Sequence, residues 1–177
     1  MILQLLPIGK LHGGLLANLA PAMAKAFGMP CEVVSPGLDP KFAFHREREQ
    51  FHSSEILARM QSLVTPQTWR ILGVAAVDLY IPILTFVFGE AQVGGACAVV
   101  SLHRLRQEFY GLPEDQNLLR DRLLKECVHE VGHTLNLTHC DDYRCAMAPS
   151  HAVEWIDLKE SSLCSACHGR IFDSAER

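Results

Sequence analysis

The sequence predicts an α/β (α+β) fold: a single domain with a mixed, twisted β-sheet. The first observation is that strand and helix patterns alternate over the N-terminal third of the 177 residues, as they do in βα units. The second is a β-rich stretch with glycine punctuation, which is followed by a long helix and a loop-rich tail. The third is the composition, since 49% hydrophobic and 20% charged residues exclude a disordered or fibrous chain.

The N-terminal elements are predicted from short apolar runs and from helical spacing. Ile2 to Ile8 is an apolar run that predicts a buried strand. Apolar residues at helical spacing predict a helix over Leu11 to Phe27, which Gly28 and Pro30 end. Cys31 to Ser35 predicts the second strand, closed by a Pro-Gly pair.

One helix and then three strands are predicted in the middle of the chain. The helix runs from Glu55 to Val64, and Ser53 or Ser54 could cap it. The segment Arg46 to Phe51 before it, with His52, is interpreted as a solvated face rather than a site. The three strands are β-branched and aromatic runs with glycine between them: Ile71–Tyr80, Leu84–Phe88 and Ala98–Leu102.

A long helix and a loop-rich tail complete the chain. Leu118 to Leu135 is predicted to be helical because four apolar residues form one stripe. The stripe consists of Leu119, Leu123, Cys127 and Val131. A loop at Pro113 to Asn117 precedes this helix, and a short helix is predicted near Ala152 to Leu158. We divide the single domain into residues 1–136, with the sheet and helices, and a C-terminal subdomain, residues 137–177.

Charge and hydropathy argue against two classes of partner. A net charge of −4 and a pI near 6.1 leave no basic field, so a nucleic-acid partner is not expected. The longest apolar stretch, Val74 to Phe88, is interrupted by Asp78, Pro82 and Thr85, so no bilayer span is expected. The N-terminus lacks the basic segment of a signal peptide. We therefore expect a soluble, cytoplasmic protein whose thiols stay reduced.

The first chemical motif lies within the long predicted helix. His129-Glu130-Val131-Gly132-His133 has the form H-E-x-x-H. Two histidines four residues apart lie on one face of a helix and can reach a single Zn²⁺. Glu130, beside the first histidine, is placed to take a proton from water at the open side of the metal. At this point a pair of surface or capping histidines remains the alternative.

His139 adds a third histidine to this motif. A helix that continued past His133 would turn His139 roughly 240° away at about 100° per residue, so the chain must leave the helix between them. Asn136 stands where that turn is needed, because Asn tolerates the left-handed conformation better than other non-Gly residues. Three neutral histidine ligands with a free fourth position are typical of a catalytic zinc.

Four of the seven cysteines follow the third histidine in the spacing C-x4-C-x18-C-x2-C. They are Cys140, Cys145, Cys164 and Cys167. In a reducing compartment this pattern indicates a closed four-thiolate zinc site, although His168 could replace one thiolate. A redox-active C-x-x-C is the alternative, but no thioredoxin-like strand precedes the motif.

The remaining cysteines and histidines are not assigned to a site. The other cysteines lie in apolar periodic segments and are expected in the core: Cys31, Cys97 and Cys127. The other histidines have no partner at a fixed ligand spacing and are interpreted as surface or satisfied core residues: His12, His45, His103, His151 and His168.

Met147 lies in the turn-prone segment Cys145-Ala-Met-Ala-Pro. This segment resembles the Met-turn of the metzincin metalloproteases, in which a Met thioether lies beneath a three-histidine metal site. With the cysteine directly after the third histidine and the terminal C-x-x-C, the chain resembles the archaemetzincin family. The resemblance extends to Leu84–Ala91 and Ser101–Gly111. It departs at one position, where the family usually has Gly and this chain has Asn136.

The resemblance implies a metzincin-like fold and a zinc-dependent metallopeptidase that hydrolyses a peptide or protein substrate. Two zinc ions per chain are expected, one catalytic on the three histidines and one structural on the four cysteines. Glu130 is expected to be the general base. By resemblance, Leu84–Ala91 would be the strand at the edge of the active-site cleft, and a buried core strand fits the same pattern equally well.

Two other functions remain open from the sequence. The first is a zinc-stabilised peptide-binding module with little or no turnover, which the short chain favours and the intact Glu130 disfavours. The second is a zinc hydrolase that acts on a bond other than the peptide bond, since the same ligands would serve it.

Overall fold

A computed structural model describes residues 1–173, over which the chain forms eight strands and five α-helices. The strands are β1 (Ile2–Ile8), β2 (Cys31–Val33), β3 (Phe44–His45), β4 (Gln50–His52), β5 (Thr68–Ala75), β6 (Leu79–Tyr80), β7 (Gly89–Ala91) and β8 (Cys97–Ser101). The α-helices are α1 (Leu15–Phe27), α2 (Ser53–Gln61), α3 (Gln116–Thr134), α4 (Val153–Leu158) and α5 (Ser165–Asp173). None of these helices has the length and apolar character that a membrane span requires.

The central sheet is mixed and has the strand order β2-β1-β5-β8-β7. The first four of these strands are parallel, and β7 is antiparallel to β8 at the edge, with Gly89 opposite Val100 and Ala91 opposite Ala98. A small second sheet has the order β3-β4-β6. The predicted fold class, a mixed α/β domain with a mixed sheet, is confirmed.

Both faces of the central sheet are covered, which explains why its strands are apolar without a clean alternation. On one face, Leu72 and Val100 pack against α1 and α3. On the other face, Ile71 and Val99 pack against α2. Helix α3 contacts both β8 and the edge strand β7, so side chains on that side of α3 lie close to the edge of the sheet.

The predicted strand Leu84–Phe88 is wrong. In this segment only Val87 forms an isolated bridge, to Leu79, and regular pairing begins at Gly89. The reason is a set of contacts with residues far away in the sequence. Their side chains bind the backbone carbonyl groups that would otherwise pair with a neighbouring strand. Arg48 Nη2 donates to the Leu84 carbonyl at 2.6 Å and to the Thr85 carbonyl at 3.3 Å. Gln50 Nε2 also donates to the Thr85 carbonyl, at 2.9 Å.

The same network corrects two further predictions. The run Ile71–Tyr80 is not one strand, because it breaks between β5 and β6. In the break, the Asp78 carboxylate accepts two hydrogen bonds from Arg104 and one from Gln50. Only half of residues 46–51 are exposed, namely Arg46, Glu47 and Glu49. Arg48 and Gln50 instead belong to this network, and Phe51 is half-buried.

Serine capping of α2 is also wrong. Ser53 and Ser54 lie in the first turn of the helix, and His52 is the N-cap residue without a side-chain cap. Both serine hydroxyls instead donate to the Glu90 carboxylate, the second at 2.8 Å. They therefore tie the edge strand β7 to the start of α2.

Several boundaries differ from the predictions. Helix α1 begins at Leu15 rather than Leu11, after Gly14 with φ of 86°. Helix α3 begins at Gln116, inside the predicted loop, because the Asp115 side chain accepts from two backbone N–H groups of its first turn. Helix α5, in the tail predicted to be mostly loop, was missed.

Candidate metal centres

Helix α3 positions the H-E-x-x-H residues through its apolar stripe. Leu119, Leu123, Cys127 and Val131 are all buried in the core between α3 and the sheet, as the sequence predicts. This packing sets the rotation of the helix about its axis. His129 and His133, one turn apart, therefore emerge together beside the edge strand β7.

The end of α3 turns the chain back through Asn136. Asn136 has φ of 64°, the left-handed conformation that the sequence predicts for this position. The Asn136 N–H donates to the His133 carbonyl at 3.0 Å, and the Leu137 N–H donates to the Gly132 carbonyl at 3.1 Å. These two bonds form a Schellman motif, in which Asn136 takes the place usually held by Gly. The turn brings His139 back over the helix.

Asn136→Gly is expected to leave metal binding at the three histidines intact, because Gly enters the left-handed region without steric cost. Asn136→Val is expected to cost about 1–3 kcal/mol, because a β-branched side chain clashes there. Since the turn carries His139, the Val variant should also bind zinc at the histidines more weakly. Urea unfolding and zinc competition with a chelating dye measure both effects. Equal zinc affinity in the two variants would contradict this account of the turn.

Ligand atoms of the three histidines converge. One nitrogen from each of His129, His133 and His139 lies within 4.8 Å of the others. The Nδ1 atoms of His129 and His133 lie 2.8 Å and 2.7 Å from the carbonyl oxygens of Ala146 and Leu137. A carbonyl oxygen can only accept, so both Nδ1 atoms carry a hydrogen, and in the neutral rings both Nε2 atoms present lone pairs.

The two Nε2 lone pairs face each other across 3.1 Å. Without a cation between them this arrangement is repulsive, and no proton is left to bridge it. Two nitrogens bound to one tetrahedral zinc at its usual bond length would stand about 3.3 Å apart. The donor set therefore fits a zinc ion in both chemistry and spacing.

Burial keeps these rings in the form that binds metal. Desolvation lowers the pKa of His129 well below its ordinary value, and the positive charge of Lys159 lowers it further. Burial also lowers the pKa of His133 and of His139. Neutral imidazole is the ligand form, so none of the three rings must lose a proton near neutral pH before it binds.

Glu130 is buried against the edge strand. A Cβ atom placed on Gly89 would lie 2.6 Å from Glu130 Cγ and 2.7 Å from its Oε1, so only glycine fits opposite this carboxylate. Burial, and secondarily the negative charge of Glu126, raises the pKa of Glu130 well above its ordinary value. A raised pKa makes the carboxylate a stronger proton acceptor than an exposed glutamate.

The four predicted cysteines form the second cluster. Their Sγ atoms lie within 4.8 Å of one another, and all four are free thiols. The Cys140 and Cys164 Sγ atoms are 3.8 Å apart, far beyond a disulfide bond of about 2.05 Å. Sulfur atoms on one tetrahedral zinc would be about 3.8 Å apart. The backbone N–H of Cys167, followed by neighbouring thiols, lowers the pKa of Cys164 to about 7.

Met147 lies between the two clusters. It is fully buried, and its sulfur packs so closely on Gly132 that a Cβ atom there would clash with it. Its carbonyl oxygen accepts from the Cys140 N–H at 3.0 Å. The residue before it, Ala146, supplies the carbonyl oxygen that holds the His129 ring. Met147 is therefore beneath the histidine cluster, where its resemblance to a Met-turn would place it.

The histidine cluster opens into a cleft of about 440 Å³. Residues 84–91 form one wall, although only Gly89–Ala91 of that segment is strand. The opposite wall contains Pro149, Ser150 and His151. His151, interpreted from the sequence as a residue outside any site, is exposed but lies in this wall.

The three cysteines outside the cluster were predicted to lie in the core. Cys97 and Cys127 are buried in the core, as predicted, and Cys31 is half-buried against it.

Two residues beside the histidine cluster were missed: Glu126, in the cleft wall, and Lys159, behind His129. Neither belongs to a local motif, so only their distance from His129 in space identifies them.

Comparison with known proteins is consistent with this architecture. A sequence model described as peptidase family M54 matches residues 44–172. An archaemetzincin from Methanocaldococcus jannaschii is 42% identical over 168 residues, which cover 94% of this chain and 90% of that protein.

Solved structures are similar over nearly the whole chain. The archaemetzincin of Archaeoglobus fulgidus, crystallised with malonate, has a TM-score of 0.82 at 34% identity and covers 96% of this chain and 99% of its own. A zinc-dependent peptidase from Methanocorpusculum labreanum has a TM-score of 0.86 at 30% identity, with the same coverage of 96% and 99%.

Proposed function

The chain belongs to peptidase family M54, the archaemetzincins, and from this membership we propose that it cleaves peptide bonds at a zinc ion held by His129, His133 and His139, with Glu130 as the general base. That it is a zinc metallopeptidase follows from the family. The assignment of each residue to its role is the proposal.

One observation carries the assignment of the histidines. The Nε2 atoms of His129 and His133 stand 3.1 Å apart while both Nδ1 atoms are held by carbonyl oxygens. The rings are thereby oriented with their lone pairs towards one point. Zinc bound there supplies Lewis acidity, which polarises the scissile carbonyl and makes water acidic enough to react near neutral pH.

Glu130 moves the proton in this proposal. Its carboxylate lies in the cleft beside His129 and against Gly89, away from the bulk solvent. It accepts a proton from the attacking water and then gives that proton to the leaving amine. Gly89 leaves room for the carboxylate, because the absence of a side chain lets the strand and the helix approach at this point.

The edge strand β7 is the part of the cleft that would hold the substrate backbone. It pairs with β8 on one side, and its residues Gly89–Ala91 line the cleft. An extended peptide can add to such an edge through main-chain hydrogen bonds. Ser53 and Ser54 keep this strand in place through their bonds to Glu90.

The four cysteines are proposed to hold a second, structural zinc. The spacing of Cys140 and Cys164 Sγ atoms supports this, as does the closed set of four thiols with no free position. A peptide-binding module without turnover, the alternative from the sequence, is not favoured. It would need neither a buried carboxylate beside the histidines nor a glycine that makes room for it.

The zinc content and peptidase activity of purified protein test this proposal. We expect two zinc ions per chain by elemental analysis after expression with zinc, and cleavage of an unfolded protein such as denatured casein. His139→Ala should lose one zinc and nearly all cleavage, because it removes one of three ligands. The matched control His12→Ala, at an exposed histidine, should retain both. A His139→Ala protein that keeps two zinc ions and full activity would contradict the ligand assignment.

A further inference from the structure

Lys159 is the most deeply buried charged side chain beside the histidine cluster. It lies just after α4 and pairs with Glu126 of α3, with 2.7 Å between Nζ and Oε1. The two side chains are 0% and 3% exposed, which makes this the most buried ion pair among residues 1–173. Burying such a pair seldom stabilises a fold more than two apolar side chains of similar size would. Its presence calls for another explanation.

The ammonium group reaches three elements. Besides Glu126, Nζ donates to the Ala148 carbonyl oxygen at 3.2 Å. It also lies 3.5 Å from Nδ1 of His129. His129 Nδ1 already carries the hydrogen that it donates to the Ala146 carbonyl, and an ammonium group has no lone pair. The contact between Lys159 Nζ and His129 Nδ1 is therefore a contact between two donors, not a hydrogen bond.

These contacts attach residues 146–150 to α3 at successive points. The Ala146 carbonyl accepts from the His129 ring, and the Ser150 hydroxyl donates to Glu126 Oε1 at 3.4 Å. Between these two points, Lys159 links the segment to α3, because its ammonium group binds both the Ala148 carbonyl and the Glu126 carboxylate. The carbonyl that orients His129 therefore belongs to a segment that Lys159 holds in place.

We propose that Lys159 is a positioning residue, which fixes the Ala146–Ser150 segment on α3 so that the Ala146 carbonyl holds the His129 ring in its metal-binding orientation. This inference rests on the proposed function, since it assigns His129 as a ligand. Groups that orient a ligand typically change metal affinity 10–100-fold when they are removed. Lys159 acts one contact further away, through the backbone, and its loss is expected to weaken zinc binding at the histidines by about 10-fold.

The central variant is the double substitution Glu126→Gln/Lys159→Met. Lys159→Met alone leaves a buried, unpaired carboxylate and is expected to destabilise the protein strongly, whatever else Lys159 does. The double variant removes both charges and keeps the volume, so its urea midpoint should return close to that of the wild type. Glu126→Gln alone leaves the buried ammonium without its counter-ion and is expected to lower stability, but it retains the bond from Lys159 to Ala148 and should keep near-normal zinc affinity.

The readouts are chosen to separate positioning from stability. Zinc affinity is measured by competition with a chelating dye, and the ligand geometry by the visible absorption spectrum of the Co²⁺-substituted protein. We expect the stable double variant to lose about 10-fold in affinity at one site, to show an altered cobalt spectrum, and to lose kcat with little change in KM. If the double variant also fails to fold, while Glu126→Gln folds with normal affinity, Lys159 serves the fold and the proposal is wrong.

A second ion pair, which joins α3 to α4 itself, provides the control. Arg122 of α3 donates two hydrogen bonds of 2.7 Å to Asp157 of α4, farther from the histidines. Arg122→Met/Asp157→Asn should lower stability without altering zinc affinity or the cobalt spectrum. Wild-type affinity and spectrum in the stable Glu126→Gln/Lys159→Met protein would overturn the positioning role. Failure of the proposed function would appear differently, as a wild-type protein that binds no metal at the histidines.

Discussion

Glu130→Gln is expected to lower kcat for peptide hydrolysis by about 100-fold or more, while the zinc content stays at the wild-type level. The amide has the shape of the carboxylate but cannot accept a proton from water. Zinc content should not change, because Glu130 lies beside the three converging histidines without being one of them. Steady-state kinetics on a substrate that the wild type cleaves, together with elemental analysis of the same sample, measure both quantities.

Two further variants make this test specific. Gly89→Ala keeps the carboxylate but forces a Cβ atom to within 2.7 Å of Glu130 Oε1 and of the Val99 carbonyl oxygen. Displacing a catalytic group in this way is expected to lower kcat by roughly 10-fold or more. Glu154→Gln, at an exposed glutamate of α4, should have wild-type kinetics. If Glu130→Gln turned over at the wild-type rate, another group would have to move the proton.

The parts of this protein that could be predicted from the sequence are those with a local signal. The stripe of α3 has helical spacing, and its burial follows from that spacing alone. The left-handed turn at Asn136 is predictable because two histidines on one metal cannot be six residues apart in a continuous helix. The cysteine spacing similarly anticipates the cluster of thiols.

The parts that could not be predicted depend on contacts between distant segments. Residues 84–88 have the composition of a strand, yet Arg48 and Gln50 bind the carbonyl groups of Leu84 and Thr85. Ser53 precedes an apolar helical pattern and would suit a cap, but Glu90 lies within its reach. Each local preference is overridden by a partner more than thirty residues away, which no pattern within a short window records.

Lys159 shows the same limit in the functional site. A lysine near the end of a short helix is ordinarily exposed, but Lys159 is buried behind His129, where it pairs with Glu126. The pair joins residues on α3 to a position just before the C-x-x-C motif. The sequence therefore identifies which atoms can bind metal, whereas the groups that hold those atoms in place are evident only from the structure.

Replacing both Cys164 and Cys167 with Ser is expected to remove one zinc and most of the stability of the C-terminal part of the chain. The apolar core around these residues is small, with Leu137, Cys145, Met147 and Cys167 as its buried members. Structural zinc binding is worth roughly 10–16 kcal/mol in small zinc domains, as much as the whole stability of an ordinary domain of about 5–15 kcal/mol. Elemental analysis and thermal unfolding followed by circular dichroism measure the two losses.

The effect should extend to the zinc bound by the histidines, because the two clusters share one stretch of chain. Cys140 directly follows His139, and its N–H is bonded to the Met147 carbonyl beneath the histidine cluster. When the thiols no longer hold Cys140, His139 is expected to bind more weakly, so the remaining zinc should be lost to a chelator faster than from the wild type. Cys31→Ser, at a half-buried cysteine far along the chain from both clusters, should keep two zinc ions and a wild-type unfolding transition. Wild-type zinc content and stability in the Cys164→Ser/Cys167→Ser protein would contradict the structural zinc, and normal retention of the remaining zinc would contradict the coupling between the two centres.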